Sequence, residues 1–103
     1  MVIFSVLYPK SDGARFDAAY YDATHIPLVK QAFTATGLTG VQVFKGLSAG
    51  DGGAAPYVAM AHLAFESPEA LQASLTGPRA PEVFADIGKF TDIAPITQVS
   101  APA

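Results

Sequence analysis

The chain has 103 residues, half of them hydrophobic and 15% charged, a length that holds one domain and excludes doubly wound dinucleotide folds with a substrate domain, large barrels and multidomain enzymes. The absence of cysteine excludes a disulfide framework, a thiolate zinc site, an iron–sulfur cluster and a cysteine nucleophile. The net charge is −3, and the six basic residues, Lys10, Arg15, Lys30, Lys45, Arg79 and Lys89, are scattered, so no basic patch is offered to phosphates and nucleic acid is not an expected partner.

Val2–Tyr8 is an uninterrupted β-rich run, closed by Pro9 and the turn-like Ser11-Asp12-Gly13. Its apolar start, Met1-Val2-Ile3-Phe4, lacks the charged n-region and long h-region of a signal peptide, and no stretch is long enough to span a bilayer. A cytoplasmic protein without a membrane partner is expected. Phe16 to about Thr36 reads as a helix with Gly37 as its C-terminal stop, and Pro27 must kink or restart it near His25–Ile26. Gly40–Gly46 is a second strand and Leu47–Pro56 a glycine-rich loop. Tyr57–Glu66 is a third strand. Ser67-Pro68 opens the next helix as N-cap and first helical residue, with Glu69 in the first turn. That helix runs to about Leu75, breaks at Gly77-Pro78 and resumes from Pro81 to Ile87. Phe90–Val99 is the last strand.

The order β-α-β-β-α-β predicts an α+β, ferredoxin-like chain: a four-stranded antiparallel sheet with both helices on one face. The other face should be polar in a monomer, yet the alternation is apolar on both sides. Ile3 and Leu7 oppose Val2, Phe4, Val6 and Tyr8, and Tyr57, Ala59, Ala61, Leu63 and Phe65 alternate with Val58, Met60, His62 and Ala64. Two apolar faces with helices for one imply a homodimer, sheet packed on sheet.

The Gly50-Asp51-Gly52-Gly53-Ala54-Ala55 segment formally matches a dinucleotide pattern, but Pro56 and a β-run follow it where a helix N-terminus is needed. It reads as a hairpin loop. The densest chemistry lies in Phe16–Val29, where Tyr21, His25 and Leu28 share one helical face and Phe16, Tyr20 and Ala23 an adjacent one. Two readings of His25 stand. It is a general acid or base, or a donor to a ligand carbonyl, oriented by Tyr21 or Asp22 one turn earlier, or it bonds the carbonyls that Pro27 leaves without an amide partner. His62, on a strand face shared with Val58 and Met60, is either a polar group in an interior pocket or a core histidine bonded to a neighbouring strand. Gly88 suits a helix C-terminus and Lys89 its dipole. Asp86 or Asp92 reaches His25 and fixes its tautomer, or supplies ordinary polarity at element ends. Asp22-x-x-His25 is a poor metal spacing, so no metal is expected. There is no nucleophile elbow and no carboxylate pair for glycoside chemistry.

The stretch Phe16-x-x-x-Tyr20-Tyr21-x-x-x-His25-x-Pro27-Leu28-Val29, the closing Ala85-Asp86-Ile87-Gly88-Lys89-Phe90-Thr91-Asp92 and the opening strand ending Leu7-Tyr8-Pro9 resemble the EthD-like family, named for ethyl tert-butyl ether degradation. The resemblance covers nearly the whole chain. It implies a small dimeric α+β barrel built from ferredoxin-like protomers. Members are often labelled oxidoreductase or reductase, and related dimeric barrels include cofactor-free monooxygenases, polyketide cyclases, dehydratases and muconolactone isomerases. By position, the resemblance makes His25 the family's histidine, Tyr21 its neighbouring aromatic and Asp86 the acidic residue before the last strand. No nicotinamide or flavin motif accompanies them, so a cofactor is not expected.

The resulting expectation is a homodimer whose cleft binds a small, apolar, oxygenated organic molecule. If it is an enzyme, the reaction is cofactor-independent proton transfer, with His25 as acid or base and Tyr21 and Asp86 orienting it. Phe44, Met60 and His62 are expected to line the cleft. A binding protein without turnover, and an oxidoreductase that borrows its cofactor from elsewhere, are the alternatives.

Overall fold

A computed structural model describes residues 1–103. Strand β1 (Val2–Pro9) sits at the centre of the sheet between β3 (Tyr57–Phe65) and β4 (Ile96–Ser100), and β2 (Leu38–Lys45) flanks β3 on the far side. All three pairings are antiparallel, as the ferredoxin-like connectivity requires.

The first helix, α1, is continuous but built in segments: an α turn at Ala18–Tyr20, a π turn at Tyr21–His25 and an α segment at Ile26–Phe33. Asp17 caps its start by accepting from the Tyr20 N–H. The π turn is how this helix accommodates Pro27. A proline has no N–H to donate, and its ring collides with the carbonyl four residues back. Inserting one extra residue lets the Ile26 N–H reach back to the Tyr21 carbonyl, and the α segment restarts at Ile26 with the proline harmlessly in its first turn. A single 3₁₀ turn, Thr34–Thr36, follows, and Gly37 ends the helix at φ 107°. A side chain there would be strained, and its Cβ would lie 2.5 Å from that of Ala70.

Helix α2 (Pro68–Leu75) starts at Ser67, whose hydroxyl accepts from the Ala70 N–H. Helix α3 spans Ala80–Phe90, which corrects two expectations. Gly88 does not end it, and Phe90 belongs to it rather than to the last strand, which begins only at Ile96. The reason is packing: Phe90 is fully buried, so the helix must run on far enough to deliver it. Arg15 stabilises that end, donating from its guanidinium to the Lys89 and Gly88 carbonyls, which the helix itself leaves unpaired.

The helices cover one face of the sheet. Val2, Phe4, Ala61, Leu63 and Phe65 pack there with Val29, Phe33, Leu71 and Val83 of the helices. A second cluster joins Tyr8 and Ala59 of the sheet to Tyr21, Ile26, Phe90 and Ile93. The opposite face is uncovered. Register places Ile3, Ser5 and Leu7 there beside Met60 and His62, with Gln42 and Phe44 on one flank and Ile96 and Gln98 on the other. Phe44 is 50% exposed and Ile96 51%. This face is apolar as expected, but one polar row, Gln42–His62–Ser5–Gln98, crosses all four strands.

Candidate functional site

His25 is the last residue of the π turn and only 4% exposed. The π turn places it against the sheet-facing side of α3, where Asp86, 5% exposed, occupies the apolar stripe Val83–Asp86–Phe90. His25 Nδ1 lies 2.9 Å from Asp86 Oδ2. The other carboxylate oxygen accepts from the Tyr20 hydroxyl at 2.7 Å, and the Lys89 ammonium stands 3.9 Å from it at the surface. Of the three acidic residues that the sequence offers, Asp22, Asp86 and Asp92, Asp86 is therefore the one that reaches His25. Asp92 instead accepts the Arg15 backbone N–H, and Asp22 pairs with Lys45 outside the site.

Electrostatics fix the protonation pattern. Burial raises the Asp86 carboxyl, but the hydrogen bonds from Tyr20 and His25, together with the charge interactions with His25 and Lys89, outweigh it and hold the group below its ordinary value. Burial also pulls the His25 imidazole below its ordinary value, against the opposing pull of Asp86. An ionised carboxylate can only accept, so a neutral His25 carries its proton on Nδ1 and donates it to Asp86. Its Nε2 is left as a bare lone pair with no partner in the chain. The hydrogen bond to Asp86 raises the Tyr20 phenol above its ordinary value, keeping it a donor.

Around this pair is an aromatic frame. The His25 ring lies 4.6 Å from that of Phe90 and stacks on Tyr21 at 5.7 Å with 20° between planes. Tyr21 thus touches His25 through its ring face and makes no hydrogen bond to it. Its hydroxyl is fully buried and lacks any partner. Tyr20, which the helical-wheel reading put on a neighbouring face, is the tyrosine that bonds Asp86. Tyr8 and Phe90 complete the frame, with Tyr8 edge-on to both Tyr21 and Phe90. The spacing of Asp86 and Phe90, four apart on one helix, is the sequence signal that could have found the latter.

A cavity of about 150 Å³ opens beside His25, between α1, α3 and the helix-covered face of the sheet. Twelve of its fifteen lining residues are hydrophobic and none is charged, so it favours a neutral, mainly apolar guest. Both packing clusters contribute walls, through Phe4, Val29 and Val83 on one side and Tyr8, Tyr21 and Ile26 on the other. Phe84, 44% exposed, stands at its rim.

Phe44, Met60 and His62 do not line this cavity. They occupy the uncovered face of the same sheet, on the opposite side of β3 from Ala61 and Leu63. The physical reason is the two-residue period of a strand: a site behind the sheet recruits the odd-numbered residues of β3, and Met60 and His62 are even. His62 accepts or donates at 2.8 Å to Ser5 across the strands and tilts against Phe44 at 5.8 Å.

The fold and this arrangement define a class: a ferredoxin-like α+β protein with a buried histidine–carboxylate pair on the wall of an apolar cavity. The model of the EthD domain matches residues 13–94, and the chain belongs to that family. Among solved structures, it is similar to an EthD-like protein from Ralstonia eutropha JMP134, with 36% identity and TM-score 0.87, over 96% of this chain and 88% of that one. An ethyl tert-butyl ether degradation (EthD) family protein from Bacillus halodurans C-125 matches at TM-score 0.76 and 19% identity, over 100% of this chain and 99% of that one. A dimeric ferredoxin-like protein of unknown function from Jannaschia sp. CCS1 shares the fold at TM-score 0.66 and 13% identity, over 98% and 97% of the two chains. No curated protein sequence matches. No helix is long and apolar enough to cross a membrane.

Proposed function

We propose that the chain acts as a homodimer, each protomer binding a small, neutral, mainly apolar organic molecule in the cavity beside His25, with His25 as general base. The observation that carries this reading is the bare Nε2 of a buried imidazole whose other nitrogen is bonded to Asp86. A lone pair held in an apolar wall is poised to take a proton from a bound molecule. Asp86 and Tyr20 are positioning residues: they fix the tautomer and offset the charge that the ring acquires. Such a reaction requires no cofactor. The dimer reading rests on the uncovered sheet face, where Phe44 and Ile96 lie exposed and Met60 half-buried without a covering element, and on the dimeric relative of the same fold. In that arrangement Phe44, Met60 and His62 belong to the interface.

The test is two-fold. Sedimentation equilibrium should give a dimer for the wild type and a monomer for Met60→Asp, and a monomeric wild type overturns the dimer. Toluene added to isotope-labelled protein should shift the resonances of Tyr21, His25 and Val83. Shifts confined to other surfaces, or none, overturn the binding site. A protein that binds such guests equally well as wild type and His25→Gln, with no proton exchanged by either, is a carrier and not an enzyme.

A further inference from the structure

A polar row crosses the middle of the uncovered sheet face, between apolar residues such as Phe44 and Ile96 that are half exposed. Its centre is His62 on β3, whose Nδ1 shares a hydrogen bond of 2.8 Å with the Ser5 hydroxyl on β1. Gln42 on β2 is the register partner of His62 on its other side, and Gln98 on β4 extends the row beyond Ser5. The Phe44 ring tilts against the imidazole at 5.8 Å. Every group packed around His62 on this face is therefore neutral.

Charge is absent from the face as a whole. Strands β1, β3 and β4 carry no acidic residue, lysine or arginine. The one charged residue of β2, Lys45, sends its ammonium to Asp22 on the helix-covered side. Glu66, just past the end of β3, turns its carboxylate toward Gly37. The other titratable groups of the sheet, the phenols of Tyr8 and Tyr57, supply no negative charge in acid. A two-fold contact brings the same patch from both sides, so a second copy adds no carboxylate to the middle of the seam at any angle between the sheets. Neutral His62 needs only neutral partners, which Ser5 and the glutamine carboxamides of the row can be. A protonated His62 on each side leaves two cations without a counter-ion where water is excluded, and burying an unpaired charge is far costlier than burying a bonded dipole.

We infer, on the basis of the dimer reading above, that His62 makes dimerisation pH-dependent: sheet packs on sheet while both imidazoles are neutral, and acid drives the protomers apart. Imidazoles ordinarily change charge between pH 5 and 8. Separated protomers then bind more protons than the dimer does, so the dissociation constant rises as pH falls. By linkage the rise is at most about tenfold per pH unit for each imidazole, or about a hundredfold for the pair. The His25–Asp86 pair lies behind the sheet, under the helices, and takes no part.

Sedimentation equilibrium of the full chain at pH 8, 7 and 6 reads the constant, with far-UV circular dichroism following the fold at each pH. The wild-type dimer should weaken at least about tenfold from pH 8 to pH 6. His62→Gln stays polar beside Ser5 but cannot gain a charge; it should dimerise at pH 8 and keep the same constant at pH 6. His25→Gln should keep the full pH dependence. His62→Lys places a permanent charge at the site and should weaken the dimer at pH 8 by at least the same factor, a comparison that stands even where acid unfolds the chain. A wild-type constant unchanged between pH 8 and 6 overturns the switch while leaving the dimer standing. So does a pH dependence that survives in His62→Gln, or a His62→Lys variant that dimerises as tightly as the wild type. A monomeric wild type at pH 8 removes the dimer reading itself.

Discussion

Replacing Asp86 with asparagine tests the centre of the site while preserving its shape. The carboxylate is buried and accepts two hydrogen bonds, from His25 Nδ1 at 2.9 Å and from the Tyr20 hydroxyl at 2.7 Å. An asparagine offers one acceptor oxygen and one NH₂ donor, so only one of the two donors keeps a partner. A hydrogen bond to a charged group contributes about 1.5–3 kcal/mol, and the stranded donor adds a desolvation cost. The expected loss is about 2–3 kcal/mol, which for a domain of this size lowers the thermal midpoint by roughly 8–24 °C. The measurement is urea unfolding at pH 8, followed by the double mutant with Tyr20→Phe, whose effect should be less than additive because both changes act on the one Tyr20–Asp86 contact. The functional consequence is separate. Without the carboxylate the Nδ1 proton is free to move to Nε2, and the proposed base is lost even where the protein still folds. A stability loss under about 0.5 kcal/mol, the size of an exposed ion pair, would refute the claim that His25 and Asp86 form a desolvated, charge-assisted bond.

Phe90→Ala removes a fully buried ring that packs on Tyr8, Phe16, Tyr21 and His25. It should cost about 3–5 kcal/mol in chemical denaturation and release the end of α3, visible as faster amide exchange at 86–91. Stability should fall on acidification in two stages. The folded imidazole of His25 binds its proton less readily than the unfolded one, so its contribution is full above the ordinary imidazole range and is lost as pH drops through it. Asp86, also lowered, holds its contribution until the ordinary carboxylate range and loses it below. Melts of wild type against His25→Gln between pH 8 and 5 isolate the first stage, which the variant should lack. Gly37→Ala should destabilise by at least about 1 kcal/mol, since the position combines positive φ with a 2.5 Å approach to Ala70 Cβ; an unchanged midpoint would refute the strain.

Much of the architecture is legible in the residues because its causes are local. Alternation in Val2–Tyr8 and Tyr57–Phe65, the Ser67 cap, the Gly37 stop and the proline in the first helix specify β-α-β-β-α-β with a restart at His25–Ile26, and each needs only neighbours within a turn or two. The end of α3 is not legible in the sequence, for the complementary reason. Gly88 is a local stop signal, and burial of Phe90 against residues far away in sequence overrides it. The choice between Tyr20 and Tyr21 as the partner of Asp86 turns on the π turn, which rotates the side chains that follow it out of the 3.6-residue period.

What the sequence determined by itself is the element order, the doubly apolar character of the sheet and the presence of an unusual histidine beside a proline. Tertiary structure alone decided the rest. It brought His25 to a carboxylate 61 residues away, left the Tyr21 hydroxyl without a partner, and put Met60 and His62 on the far side of the sheet from the cavity. Strand alternation divides residues into two faces but does not say which face the helices cover. That is settled only when α1 and α3 dock on the face where Val2, Phe4, Leu63 and Phe65 bury more apolar surface than Ile3, Ser5, Met60 and His62 could.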